Sequence, residues 1–221
     1  MSDAKRELTF LLADPERRLL RRIAGALPGC VTSDALTALG VAGAAGAGVA
    51  YALSGLHAGW LWAASLMIAV NWFGDSLDGT LARVRHQERP KYGYYLDHIV
   101  DAVSTAAIGV GIGLSPWVDL EVALLLVVAY LALSINVYLE SAVFGVFRIA
   151  YGKLGPTEVR IILVIANAVL ALAGRSAARE MVSLVTNLGA TVLAVAMLGV
   201  LMARFASNLH RLGRMEPLPR T

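Results

Sequence analysis

Long runs without a charged side chain alternate along this chain with short segments rich in arginine. The charge-free runs cover residues 35–55, 58–74, 102–118, 122–139, 161–174 and 181–203. A helix needs roughly 20 mostly apolar residues to cross a bilayer. The shorter runs reach that length once polar residues at one end are admitted: the fifth extends back to Pro156, the second forward past Asp75. Period-2 alternation is missing and Ala, Leu and Gly dominate, so strands are not expected. The pattern predicts six transmembrane helices.

A different pattern precedes them. Asp14-Pro15 reads as a helix N-cap followed by proline at the first helical position. Leu19, Leu20, Ile23 and Leu27 then share one face, with Arg17, Arg18, Arg21 and Arg22 elsewhere. This predicts an amphipathic helix lying in the membrane interface. The first apolar run starts too late, behind a charged segment, for a cleavable signal peptide. The expected organisation is an interfacial helix in residues 1–30 and a six-helix transmembrane domain in residues 31–221, together an all-α integral membrane protein.

Composition agrees. Of the 221 residues 57% are hydrophobic and 16% charged, against about 25% charged in a soluble domain. That excludes a soluble globular domain and a disordered chain. The basic residues sit in short segments between apolar runs, so the positive charge does not signal a nucleic-acid partner. The single Cys30 excludes an internal disulfide and a cysteine-based metal site. Lysine and arginine accumulate on the cytoplasmic side of membrane proteins. With the N-terminus inside, 17 of the 19 fall on that side and only Arg175 and Arg179 outside. Both termini are therefore expected in the cytoplasm, in a cell inner membrane.

The chemistry is concentrated between Asn71 and Asp101. Asp75 and Asp78 are spaced i, i+3 near the cytoplasmic end of the second span; Asp97 and Asp101 are spaced i, i+4 near the start of the third. Each pair shares a helical face, and the short linker with Pro90 predicts that the two helices are neighbours. A charge at membrane depth costs about 2.5 kcal/mol or more and is rare without a function. Four such carboxylates repel unless cations compensate, and Arg83 can neutralise only one. Hard divalent cations suit clustered carboxylate oxygens, and two of them about 4 Å apart form the clamp used in phosphoryl chemistry. A carboxylate–arginine network or a cation-coupled transporter would use the same cluster. Gly79 and Ala82 leave a groove beside the acids in which a flat ligand fits, and Gly93 does the same on the third span. Arg83, one turn beyond Gly79, is placed to reach a phosphate.

Together these residues resemble the signature of the CDP-alcohol phosphotransferase family, D-x-x-D-G-x-x-A-R, a linker of eight or nine residues, then G-x-x-x-D-x-x-x-D. Asp75, Asp78, Gly79, Ala82, Arg83, Gly93, Asp97 and Asp101 fill all eight fixed positions. The resemblance extends to the six-helix layout, the interfacial helix and the LPGCVTSDALTALG entry into the first span. It implies cleavage of a CDP-linked donor, release of CMP and transfer of the phospho-group to an alcohol hydroxyl, with at least one substrate a lipid. It further implies two divalent metals, Mg²⁺ or Mn²⁺, on Asp75, Asp78, Asp97 and Asp101. Asp101 would be the general base, Gly79, Ala82 and Arg83 would contact the CDP moiety with Gly93 nearby, and the protein would be a homodimer.

Two details resemble the choline/ethanolaminephosphotransferase branch: His98 directly after Asp97, and Pro156-Thr157-Glu158-Val159 opening the fifth span. They make His98 a competitor of Asp101 as base, since an imidazole suits proton transfer at neutral pH. Ile99 and Arg160 depart from that branch's pattern. Arg148, Lys153 and Arg160 flank the connection between the fourth and fifth spans, where they serve either an acceptor phosphate or the inside-positive topology. Glu140, on one face with Asn136, either lines the acceptor pocket or pairs with a basic residue. Besides the transferase, a transporter and a non-catalytic scaffold remain as alternatives.

Overall fold

The structure is a computed structural model that describes residues 12–144, 155–173 and 179–217. Among the described residues there are seven helices and no strand. The first, α1 (Ala13–Ala26), turns Leu20 and Ala24 into the protein and leaves Arg17, Arg18, Arg21 and Arg22 exposed. This is the amphipathic helix anticipated, but it starts before Asp14, which lies inside the first turn instead of capping it. The cap comes from elsewhere: the Leu12 amide donates to Glu158 Oε1 at 3.0 Å. Pro28 follows the end of the helix. There the guanidinium of Arg85 donates to the carbonyls of Leu27, Pro28 and Val31, fixing the turn into the next helix.

That helix, α2 (Ser33–Leu53), is capped by Thr32, whose hydroxyl accepts from the Ala35 amide at 3.1 Å. Its small residues let neighbouring backbones approach closely, the usual way membrane helices pack. A Cβ on Gly43 would fall 2.5 Å from the Asn71 amide nitrogen of α3 (Trp60–Val84), and one on Gly74 of α3 would fall 2.4 Å from the Gly40 nitrogen. On its other side α2 meets α4 (Pro90–Gly113), where a Cβ on Gly111 would fall 2.3 Å from the Gly48 carbonyl oxygen. So α3 and α4 lean on α2 rather than on each other. The expectation of two acid-bearing helices packed side by side is corrected here. The glycine seams on α2 bind them more closely than two helices carrying four like charges bind one another.

The remaining helices are α5 (Leu120–Phe144), α6 (Pro156–Ala173) and α7 (Arg179–Met215). Helix α6 packs on α3, α5 on α4, and α7 on α5, while α1 lies across α3. One core gathers Ala47, Ala50, Tyr51, Leu61, Ala64, Ile68, Trp117 and Leu170; a second joins Leu20 and Ala24 to Leu36, Leu77 and Leu81. Exposed leucines, valines and isoleucines along α5, α6 and α7 present an apolar exterior suited to lipid.

Among the described residues six helices follow α1, against six membrane spans expected. Four of them are long and apolar enough to cross a membrane by length and composition: α2, α4, α5 and the Glu180–Met215 stretch of α7. Helix α3 carries Asp75, Asp78 and Arg83, and α6 has 18 residues with Glu158 and Arg160 near its start. The 37 residues of α7 extend about 55 Å at 1.5 Å per residue, well beyond the ~30 Å hydrocarbon core.

Candidate active site

Two of the four acids are held individually. Asp78 Oδ2 accepts from Thr37 Oγ1 of α2 at 2.6 Å, and Ser33 Oγ donates to the Asp78 carbonyl oxygen at 3.0 Å. Its other carboxylate oxygen accepts from the Gly79 amide. Asp75 Oδ2 accepts from Arg160 Nη2 of α6 at 2.7 Å, and Arg160 Nε donates to Asn71 Oδ1 at 3.1 Å. Asn71 is itself fixed, its amide donating to the Gly40 carbonyl at 3.0 Å. Arg160 thus joins the acids, with its side chain and that of Asp75 each no more than 20% exposed.

On α4, Asp97 is half-buried and its Oδ2 lies 3.5 Å from His98 Nδ1. The imidazole of His98 sits between the rings of Tyr94 and Tyr138, with both ring centroids 4.1 Å away. Asp101 lies one turn deeper than Asp97 and lines a cavity of about 160 Å³ with Ala102, Tyr130, Leu131, Ser134, Ile135 and Tyr138. Asp101 is within electrostatic reach of Asp75, Asp97, Asp78 and Arg160. Asp75 and Asp78 thus sit in the second half of α3 and Asp97 and Asp101 in the first half of α4, with Asp101 turned towards α5. Among the described residues no three of them close into a set that grips an ion as it stands.

Arg83 extends back along α3, donating to Thr80 Oγ1 at 3.1 Å, and a Cβ on Gly79 would lie 3.5 Å from its Nη1. With Arg21, Thr80 and Val84 it lines a second cavity of about 230 Å³, between α1 and α3. Ala82 lies one turn beyond Asp78 on α3 and is half-buried. Gly93 lies in the exposed first turn of α4, with open space around its Cα.

Glu140 is drawn elsewhere. Its carboxylate accepts from Arg204 Nε at 2.8 Å and from Arg204 Nη2, and from the amides of Asn136 and Asn208, both at 2.7 Å. Of the two readings of Glu140 the structure displays the pairing with a basic residue, a clamp between α5 and α7. Arg148 and Lys153 lie outside the described residues.

Ser33 and Thr37 lie in the entry segment to the first span and Asn71 opens the acidic stretch, but nothing in either marked them as partners of the acids. Their hydrogen bonds cross from one helix to another, which spacing along a single helix does not reveal. Tyr130, Ser134 and Tyr138 were detectable: three hydroxyls at i, i+4, i+8 on the most apolar helix form a polar stripe that calls for a partner.

This is the arrangement of a helical membrane protein whose acids, on α3 and α4, are within electrostatic reach of an arginine from α6. The profile of the family described as CDP-alcohol phosphatidyltransferase matches residues 30–202, most of the chain, and the chain belongs to that family. A curated relative, the phosphatidylinositol phosphate synthase of Cutibacterium acnes (strain DSM 16379 / KPA171202), is 38% identical over 86 residues. That stretch spans 38% of this chain and 38% of the relative. The fold is similar to the crystal structure of Mycobacterium tuberculosis phosphatidylinositol phosphate synthase with CDP-DAG bound. The TM-score is 0.63 at 23% identity, covering 92% of this chain and 98% of that one. Family membership leaves the transporter and scaffold alternatives without support.

The donor set suits a hard divalent cation. Four aspartates supply only oxygen ligands, the kind Mg²⁺ and Mn²⁺ take. Arg160 supplies the positive charge that the cluster requires at Asp75.

Proposed function

We propose that this protein transfers the phosphatidyl group of CDP-diacylglycerol to a hydroxyl of a phosphorylated polyol, an inositol phosphate above all, releasing CMP. The observation that carries this reading is Arg160. A guanidinium placed among the signature acids by α6 can meet an acceptor that bears its own phosphate, which a choline- or ethanolamine-type reaction does not require. The product of such a transfer is a phosphatidylinositol phosphate, the product named in both relatives.

Helices α3 and α6 complete a set of six spans in this reading, because Asp75, Asp78 and Arg160 are offset by their partners. The acids face the cytoplasmic half of the membrane, and the two termini lie on that side. Asp75, Asp78, Asp97 and Asp101 would hold two divalent ions, which when bound neutralise the diphosphate and stabilise CMP as it leaves. Gly79 and Ala82 keep the wall beside Asp78 flat enough for the CDP moiety. Arg83 binds a donor phosphate, and its contact with Thr80 turns it back along α3 towards the acids. Gly93 leaves the opposite rim open.

The acceptor hydroxyl oxygen attacks the phosphorus of the phosphatidyl phosphate, and the P–O bond to CMP breaks. The hydroxyl proton passes to a carboxylate oxygen of Asp101, which lines the cavity between α4 and α5. His98, flanked by the tilted rings of two tyrosines, lies beside Asp97 and does not take the proton. Arg160 holds the acceptor phosphate, and Arg148 and Lys153 are candidates to assist it. The working form is a homodimer, as the family resemblance implies.

The test is direct. Purified protein with CDP-diacylglycerol, Mg²⁺ or Mn²⁺ and inositol phosphate should release CMP. Replacing the acceptor by unphosphorylated inositol should raise KM by about two orders of magnitude, the scale of losing a charge-assisted pair of hydrogen bonds. Equal use of both acceptors would refute the acceptor assignment, and absence of CMP with any donor would refute the transferase.

A further inference from the structure

Glu16 is a carboxylate on the amphipathic α1, outside every motif that marks the family. Its Oε1 accepts from Trp72 Nε1 of α3 at 2.8 Å and from Thr157 Oγ1 of α6 at 2.7 Å, with Ser76 Oγ at 3.5 Å. One oxygen atom therefore holds α3 and α6 together. The tie is reciprocated from α6: Glu158 Oε1 accepts from the Leu12 amide that leads into α1, and Glu158 Oε2 accepts from the Gly155 amide, both at 3.0 Å. The first turn of α6 is thus fastened to α1 from both sides.

The residues fastened are neighbours of the site. Thr157 lies three residues before Arg160 on α6, and Trp72 and Ser76 flank Asp75 on α3. Residues i and i+3 share a helix face, so a shift at Thr157 is a shift at Arg160. Burial of Leu20 and Ala24 against Leu77 and Leu81 already secures α1 to α3. The Glu16–Thr157 bond adds a fixed distance between α3 and α6, and that distance sets how Arg160 meets Asp75 and Asn71.

We infer that Glu16 is a positioning residue for Arg160: it sets the register of α6 against α3 so that the guanidinium is aimed at the acceptor phosphate. The inference rests on the acceptor role given to Arg160 above. Positioning requires an acceptor atom at Oε1, not a negative charge, so glutamine should replace glutamate.

In full-length protein, Glu16→Ala should raise KM for inositol phosphate about tenfold, a modest share of what misplacement by about 1 Å costs. The KM for CDP-diacylglycerol and kcat should change less than twofold. Glu16→Gln should keep wild-type values, and Thr157→Val should reproduce the Ala effect. An unchanged acceptor KM in Glu16→Ala, a Gln variant as damaged as Ala, or both substrates' KM rising together would overturn the assignment. A second measurement needs no turnover. Spin labels at Arg18→Cys and Ile162→Cys in a Cys30→Ser background should give one narrow distance in the parent and in Glu16→Gln, and a broad one in Glu16→Ala. A narrow distance in Glu16→Ala would refute the tie. If the parent released no CMP, the functional reading would fall while the spin-label distances still decided the tie.

Discussion

At the residue scale the four aspartates are held by different means, and this separates their expected phenotypes. Asp97 lies beside His98 and Asp101 lines the cavity against α5; as ligands in the proposed reaction, Asp97→Asn and Asp101→Asn should each abolish CMP release. Asp97→Asn should also weaken Mn²⁺ binding measured by electron paramagnetic resonance, with the thermal midpoint in detergent unchanged. Retained turnover would contradict the ligand assignment. Asp78 depends on the 2.6 Å hydrogen bond from Thr37. Thr37→Val keeps the shape of the side chain but removes the donor, and should weaken Mn²⁺ binding about tenfold, the lower end of what losing a partner behind a metal ligand costs. Thr37→Ser should restore it. The aspartates were legible in the sequence because their spacing lies on single helices, where 3.6 residues per turn fixes the shared face. Thr37 and Arg160 were not, or only as one of several basic residues, because their partners are 41 and 85 positions away. Which polar group meets which acid depends on how helices are laid side by side, and no local period encodes that.

At the scale of elements, the close approach of α2 and α3 makes a sharp prediction. A side chain at Gly74 would collide with the backbone nitrogen of Gly40 and the Leu36 carbonyl oxygen, both 2.4 Å from its Cβ, and backbone cannot rotate away. Gly74→Val should lower the thermal midpoint strongly or prevent accumulation of folded protein, whereas Gly189→Ala, with nothing within 4 Å, should be neutral. Size-exclusion profiles and thermal midpoints in detergent decide it. The clamp on Glu140 joins α5 to α7 with side chains no more than 27% exposed. Glu140→Ala removes the acceptor shared by Arg204, Asn136 and Asn208 and should cost about 3 kcal/mol, the lower end for breaking a buried pair. The double change Glu140→Ala with Arg204→Met should recover most of it; no recovery would mean that the pair is not what holds the two helices. The helices themselves were readable from their charge-free runs. The place of α2 between α3 and α4 was not, because glycine and alanine mark close packing without naming the partner.

At the scale of the whole molecule, the distribution of arginine and lysine predicts a definite sidedness. Cys30 is exposed at the turn between α1 and α2 and should react with a membrane-impermeant maleimide only after the cell membrane is opened. A cysteine at His57, in the turn between α2 and α3, should react in intact cells once Cys30 is replaced by serine. The reverse pattern would invert the topology. Chelation with EDTA should stop CMP release, and adding Mg²⁺ or Mn²⁺ should restore it. The glycine seams carry one more consequence. Where backbone touches backbone along α2, nearly every new side chain is a clash, so the wall that carries Asp75 and Asp78 has almost no room to vary. The facing wall meets its neighbours through side chains such as Tyr130, Ser134, Tyr138 and Thr157, which can be exchanged one at a time. Divergence towards other alcohols should therefore be recorded on α5 and α6, and an engineer seeking a different product should leave the first two spans alone and randomise those.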